Sequence, residues 1–501
     1  MSNNESLMER DRINRRFFLF ALFFTAAVVR LAWYFLDRSI WQDEAPLVLN
    51  VLDRSFTGLT LPLSGQPPQF APVGFLFIEK ALVMLLGPSE YALRLFPLIC
   101  SLASLFIFYR LAARFLSRRG LALAMIFMGF YGPFIANTVE IKPYSSDVFI
   151  ALSALAIFLR VRDRDYSRVS LAIFAGFGVL AVWMSFTAVL VLAPLSVFLI
   201  FGSRHDKKKP GSAALFSALW IISFAVYYWF FLSGAQVSAL TSMQNLWFNE
   251  KSAGSLAGYV PSTNTQWNLW AWQLFFAQYL AVPWPPAVLA VLIGVLRLNR
   301  DDRRDGSILI AFFAAALIFH WSRLYPLYAR LALFLVPFIF ILLAEGYDFV
   351  MLKTVTFWRG APVVVTLLVC CPLVLSSQAI YLRYETRAPV EYIKENLKPG
   401  DRVFVLQEVR DVFEYYAREY KLSYQIACAP ADAADFGDAP VKDRRRFIFT
   451  RGQRIWLYLS HYDQPPTAQE MHRLIRYLKG RTHLVRQRAF YGTEVLLLEA
   501  R

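Results

Sequence analysis

The sequence predicts a polytopic helical membrane protein with about 11 transmembrane helices, interfacial helices in its first outer loop and one soluble α/β domain at the C-terminal end. Two observations carry this reading. The first is composition: 57% of the 501 residues are apolar and only 18% charged, with mean hydropathy +0.43, whereas a soluble domain carries nearer a quarter charged residues. The second is distribution, because long stretches carry no charge, while the chain after Tyr384 has an ordinary soluble composition. The net charge of +16 does not point to nucleic acid. Its Arg and Lys residues cluster in short loops between apolar runs, where the orienting charges of a membrane protein belong, so the bilayer is the partner implied. Cys100, Cys370 and Cys371 lie inside apolar runs and Cys428 stands alone, which leaves no disulfide framework.

Residues 1–16 are polar and basic, and the apolar run behind them lacks a small-residue cleavage site. This predicts a cytoplasmic N-terminus and a retained first span, Phe17 to Leu36. An outer loop over 37–88 follows, then spans at Tyr91 to Leu111, Leu121 to Val139 and Tyr144 to Leu159. Within that loop, Ala71 to Gly87 is apolar, but it is short, opens with Pro72 and carries Glu79 and Lys80. If it crossed, Arg114, Arg118, Arg119 and the Lys207-Lys208-Lys209 loop would all face outward, against the charge rule, so it is read as a juxtamembrane helix. The uncharged run Val169 to Ser203 has basic loops at both ends and must cross an even number of times, turning near Trp183 to Thr187. Further spans are expected at Ala213 to Leu232, Gln278 to Leu296, Ser307 to Phe319, Leu324 to Leu343 and Ala361 to Ile380. A second outer segment, 233–276, carries Trp247, Trp267, Trp270 and Trp272, which suit a lid or an interfacial aromatic belt. This threading divides the chain into a membrane domain over 17–384 and an extracytoplasmic domain over 385–501. Strands are expected there at Arg402 to Leu406, Arg446 to Thr450, Ile455 to Ser460 and Thr493 to Leu498. Helices are expected at Asp411 to Lys421 and, behind a capping box, Thr467 to Gly480.

Ionisable groups beside apolar runs are costly and are functional candidates for that reason. On this threading they collect on one outer face: Asp43-Glu44 after span one, Glu140, Lys142, Tyr144 and Asp147 between spans three and four, and His320, Arg323, Tyr325 and Arg330 before span ten. A carboxylate to take a proton, basic groups to hold a phosphate and an apolar wall for a lipid would suit chemistry on a lipid-linked substrate. Each group also has a structural reading. Asp43-Glu44 could cap a helix, Lys142 and Asp147 could form an ion pair at a span end, and Arg323 and Arg330 could snorkel to lipid headgroups. His320 lacks a neighbouring Cys or His in sequence to share a metal.

These residues resemble the family-39-like branch of the C-type (GT-C) glycosyltransferase superfamily, which is related to protein O-mannosyltransferases and lipid A aminoarabinose transferases. The resemblance runs through Asp43-Glu44, Gln69-Phe70-Ala71-Pro72 leading into an apolar helix, Tyr91-Ala92-Leu93-Arg94 and Glu140-Ile141-Lys142-Pro143-Tyr144-Ser145-Ser146-Asp147. It continues through Tyr325-Pro326 with Arg330, a span ending near Glu345-Gly346, and Phe413-Glu414-Tyr415-Tyr416. It implies inverting transfer of a sugar from a polyprenyl-phosphate donor to an acceptor hydroxyl at the outer face of a bacterial inner membrane. Asp43 would be the general base, oriented by Glu44 or Asp147, while Lys142, Arg323, Tyr325 and Arg330 would hold the donor phosphate and Glu140 and Tyr144 would contact substrate. A monophosphate leaving group does not oblige a divalent metal, and no cofactor is expected. Relatives acting on protein or lipid A commonly place His or Lys beside a Pro-Pro pair where this chain has Phe70-Ala71-Pro72, which favours a glycan or glycolipid acceptor here. A transporter or flippase of lipid-linked sugars is the competing reading, although transport usually brings an internal repeat and midplane sites. A scaffold acting through the soluble domain is another.

If the threading holds, Arg118→Cys and Lys208→Cys will resist a membrane-impermeant thiol reagent applied from outside intact cells, and outside labelling of either reverses the topology.

Overall fold

The structure is a computed structural model that describes residues 3–65, 69–164, 166–202, 210–232, 284–300, 305–327, 329–354, 384–406, 409–426, 449–460, 475, 478 and 480–501. The chain divides into two compact units. One comprises Met1–Leu36, Ser55–Pro62 and Phe70–Tyr381, and the other Asp37–Arg54, Leu63–Gln69 and Leu382–Arg501.

The first unit is helical: α1 (Asn3–Phe35), α3 (Val73–Leu86), α4 (Glu90–Phe115), α5 (Arg118–Phe130), α6 (Gly132–Asn137), α7 (Tyr144–Asp163), α8 (Arg168–Met184), α9 (Ala188–Gly202), α10 (Pro210–Tyr227), α11 (Trp284–Leu298), α12 (Asp305–Trp321) and α13 (Val336–Thr354). Among the described residues, five helices are long and apolar enough to cross a bilayer: Phe17–Phe35, Glu90–Phe115, Tyr144–Asp163, Gly211–Phe231 and Arg330–Lys353. Four shorter apolar helices accompany them. The uncharged run over 169–203 separates between Met184 and Ala188 into two helices. The 14 residues of α3 extend only about 21 Å at 1.5 Å per residue, too short for a hydrocarbon layer of about 30 Å. The span expected at 361–380 and the tryptophan-rich segment 233–276 lie outside the described residues.

Two expected spans are corrected. Leu121 to Val139 is not one helix, because α5 stops at Phe130 and α6 restarts at Gly132 with Pro133 in its first turn. Proline has no N–H for the turn before it, so the ladder breaks there. Leu324 to Leu343 is displaced along the chain: a 3-10 turn, Ala329–Leu335, leads into α13 at Val336, and Pro337 sits where a helix tolerates it. The charges this shift draws into α13 are paired, Asp348 with the Ser117 hydroxyl at 2.5 Å and Arg119 at 4.0 Å, and Glu345 with Arg297 at 3.1 Å. Arg114 likewise pairs with Asp163, joining the ends of α4 and α7. Arg114, Arg119 and Arg297 therefore each meet an acid carried by another helix.

The closest helix approach involves α11 and α13. A Cβ on Gly346 would lie 1.9 Å from the Ala290 carbonyl oxygen, and one on Gly294 would lie 2.1 Å from that of Leu342. Ala290 and Gly294, four apart on α11, and Gly346 on α13 let the backbones touch, the usual device where water cannot drive association.

The second unit is an α/β sheet in the order β2-β1-β3-β5-β4, made of β1 (Arg402–Val405), β2 (Gln425–Ile426), β3 (Arg454–Ser460), β4 (Thr482–Phe490) and β5 (Thr493–Ala500). β1 pairs in parallel with β2 and β3, and β5 pairs antiparallel with β3 and β4. The helices are α14 (Arg387–Asn396) and α15 (Arg410–Tyr420). β4 was not expected from the sequence, because a bulge between Leu484 and Arg486 interrupts its alternation. Most of Arg446 to Thr450, and the helix expected at Thr467 to Gly480, lie outside the described residues. A further departure is the partition: Asp37–Arg54 and Leu63–Gln69, assigned by sequence to the membrane domain, pack with the C-terminal domain. Helix α2 (Ala45–Asp53) in this loop lies against α15, with Arg418 Nη1 on both Asp53 oxygens at 2.6 and 2.8 Å.

Gly346→Ala is expected to lower the thermal midpoint of the purified protein, at a cost of about 1–3 kcal/mol for forced overpacking. Gly176→Ala, whose Cβ meets nothing within 4 Å, serves as the control and should change little.

Candidate active site

The candidate residues fall in both units, and each group is built by its own unit. In the helical unit the foundation is Arg30, fully buried on α1. Its guanidinium donates to the Met128 carbonyl at 2.8 Å, to that of Gly129 at 2.9 Å, to that of Ala26 at 3.0 Å and to Ser101 Oγ at 3.0 Å. The α-helical partner of the Gly129 carbonyl would be the N–H of residue 133, which is proline. Arg30 supplies the missing donor, and the negative end of the α5 dipole favours its charge.

Ser101 Oγ also bonds Thr138 Oγ1 at 2.8 Å, and Thr138 donates to the Phe134 carbonyl at 2.9 Å. At the far end Ser145 Oγ donates to the Asn137 carbonyl at 2.8 Å. The segment Thr138 to Pro143 is therefore tied at both ends, and every residue from Phe134 to Asp147 is buried. That segment presents Glu140 and Lys142, and α7 opens directly behind it with Tyr144 and Asp147.

Arg330 joins this group from the 3-10 turn. Its Nη1 lies 3.9 Å from Glu140 Oε2, and its Cζ lies 5.4 Å from the centre of the Tyr144 ring. Asp147 is held by a hydroxyl, with Ser185 Oγ donating to Oδ1 at 2.5 Å and bonded to Thr187 Oγ1 at 2.9 Å. Tyr325 donates to the Leu331 carbonyl at 3.0 Å. Burial first, and then the neighbouring Asp147 and Tyr144, push its phenol well above the usual range, so it stays a neutral donor. His320 is buried, and its Nδ1 accepts from the Leu327 N–H at 3.2 Å, which gives this histidine a structural task. Arg323 is exposed in a left-handed turn, φ 57°, past the end of α12. The structure thus collects Glu140, Tyr144, Asp147, Tyr325 and Arg330, with buried Lys142 on the same tied segment, and leaves Arg323 facing outward.

Ser185 and Thr187 escaped the sequence reading. The turn between two uncharged helices was legible, but its two hydroxyls were not weighed. Arg30 escaped as well, although a lone charge in an apolar run is itself a signal.

In the second unit Asp43 is partly buried in the turn Gln42–Glu44 that leads into α2. Helix α2 begins with Glu44 at its N-cap in a helical conformation, without a side-chain capping bond, and Pro46 in its first turn. Buried Glu44 instead turns back, its Oε2 accepting from the Trp41 N–H at 3.4 Å. Glu44 therefore does not cap α2 with its side chain.

The fold is that of the C-type membrane glycosyltransferases. The chain is similar to ArnT from Cupriavidus metallidurans, solved bound to undecaprenyl phosphate, with TM-score 0.56 and 13% identity over 95% of this chain and 97% of that one. It is also similar to the archaeal oligosaccharyltransferase AglB from Archaeoglobus fulgidus, solved with an inhibitory peptide and a dolichol-phosphate, with TM-score 0.55 and 11% identity over 96% of this chain and 74% of that one. Within the sequence, residues 69–229 match the profile of the dolichyl-phosphate-mannose-protein mannosyltransferase family. That stretch, about a third of the chain, includes Glu140 to Asp147. No curated protein sequence matches the chain.

Arg30→Leu should strip donors from three buried acceptors outside its own helix, at about 1–3 kcal/mol for each group left unsatisfied. Thermal unfolding in detergent reads this as a larger loss than Gly346→Ala causes. An unchanged midpoint would remove Arg30 from its role at the helix break.

Proposed function

We propose that this protein is a polyprenyl-phosphate-dependent glycosyltransferase that moves a hexose or pentose, with inversion, onto a hydroxyl of a bacterial glycan or glycolipid at the outer face of the inner membrane. The observation that carries the reading is the cluster at the start of α7, where partly buried Arg330 lies near Glu140 and Tyr144, beside buried Lys142 and Asp147. A buried lysine and a partly buried arginine next to buried carboxylates, at the start of an apolar helix, suit a phosphate on a lipid tail and the hydroxyls of the sugar it carries. The polyprenyl phosphates held by the similar ArnT and AglB structures support the same donor class.

In the reaction, the acceptor oxygen attacks the anomeric carbon as the bond to the phosphate oxygen breaks. Asp43 takes the acceptor proton, and Glu44 holds the turn that carries it. Polyprenyl phosphate leaves with the bonding electron pair, and Lys142 and Arg330, with Arg323 at the exposed turn, stabilise its charge. Asp147, Glu140, Tyr144 and Tyr325 contact and orient the donor. Cationic side chains can balance a monophosphate leaving group, so this reading includes no catalytic metal. The transporter reading expects sites near the bilayer midplane, whereas this cluster lies at one end of α7.

The test uses full-length protein in nanodiscs with polyprenyl-phosphate sugars and extracted envelope glycolipids. Asp43→Asn should lower kcat by about 10³-fold, taking general-base catalysis at 10²–10⁴, and Arg330→Ala by about 10²-fold through lost charge stabilisation. Transfer should survive EDTA. Full transfer by Asp43→Asn would dismiss it as the base, and sugar crossing the membrane without transfer would favour the flippase.

A further inference from the structure

The loop that carries Asp43 has both main-chain polar groups of Ile40 held by side chains from the far end of the chain. The Ile40 N–H donates to Tyr416 Oη at 2.7 Å, and its carbonyl accepts from Thr386 Oγ1 at 2.5 Å. Ile40, Thr386 and Tyr416 are all 0% exposed, so neither main-chain group has water as a substitute. The Thr386 N–H adds a bond to Ser39 Oγ at 3.3 Å. Arg387 pairs with Asp37 at 2.9 Å, and its Cζ lies 6.0 Å from the centre of the Tyr416 ring.

On the other side of Asp43, α2 packs on α15 and ends at the Asp53–Arg418 pair. Asp43 thus stands three residues from one attachment and ahead of a second, and both attachments come from the same domain. The two differ in strength. The Asp53–Arg418 pair is half exposed and worth little by itself. The Ile40 bonds are buried, and losing either leaves a bare peptide group in the interior.

We propose that Thr386 and Tyr416 are positioning residues that fix the loop bearing Asp43, so that the C-terminal domain contributes to transfer without touching substrate. This rests on the reading of Asp43 as the general base. A base displaced by about 1 Å loses on the order of 10²-fold in rate, while a donor site built from other residues keeps its affinity. The signature is a fall in kcat with KM for the donor unchanged.

Thr386→Val keeps the shape and removes the hydroxyl, Tyr416→Phe removes the other partner, and Thr386→Ser keeps the hydroxyl. All are compared with Asp43→Asn in full-length protein in nanodiscs, by transfer kinetics and by hydrogen exchange of the peptide covering 37–44. Thr386→Val and Tyr416→Phe are expected to lose at least tenfold in kcat with donor KM within twofold, and to exchange faster over 37–44. Thr386→Ser should stay within about threefold of wild type in both. Faster exchange with unchanged kcat, while Asp43→Asn is inactive, would overturn the positioning role and leave the base intact. Unchanged exchange in Thr386→Val and Tyr416→Phe would overturn the attachment itself. Full activity of Asp43→Asn would instead bring down the base assignment, and the proposal with it, whatever the exchange data show.

Discussion

A buried guanidinium at a broken helix is the interaction on which the helical unit depends. A transmembrane helix satisfies its own peptide groups, and a break at Tyr131 exposes carbonyls where water is scarce. Arg30 meets two of them, and through Ser101 and Thr138 it fixes the start of the segment that presents Glu140 and Lys142. The cost of burying a cation is offset by four hydrogen bonds and by the dipole of the helix it terminates. Pro133 makes the break, and without Arg30 the carbonyls it frees and the segment behind them would lose the donors that tie them down.

The two ends of α7 show different uses of charge. At one end Arg114 pairs with Asp163 on exposed or half-exposed side chains, and such contacts tie helix ends together at little net gain. At the other end the carboxylates Glu140 and Asp147 are buried, and partly buried Arg330 stands 3.9 Å from Glu140.

Much of this was readable from the chain alone, for reasons that can be assigned residue by residue. Long uncharged runs with basic ends locate helices because bilayer thickness leaves few choices, and the turn at 185–187 follows from parity. Asp43, Glu140, Lys142, Asp147 and Arg330 stood out because charge beside apolar sequence is expensive. The break at Tyr131-Gly132-Pro133 was signalled by Gly-Pro, but nothing local shows that a residue on another helix compensates it. The start of α13 was misplaced because Leu324 to Leu343 is as apolar as the true span, and only pairing partners elsewhere make Glu345 and Asp348 tolerable inside it. The domain partition was missed for a similar reason: Asp37 to Arg54 follows span one directly, and its attachment to Thr386, Arg387, Tyr416 and Arg418 is invisible without a fold.

The attachment of Ile40 also has a consequence for how the protein is made. Its two partners lie 346 and 376 residues further along the chain, and synthesis proceeds from the N-terminus. The first loop therefore leaves the ribosome before the side chains that hold Ile40 in the folded protein exist, and water must serve that peptide group until Tyr416 has been made. A chain that stops short of Thr386 lacks both side chains that hold Ile40, so this architecture ties the settling of the acidic turn to synthesis of the C-terminal domain.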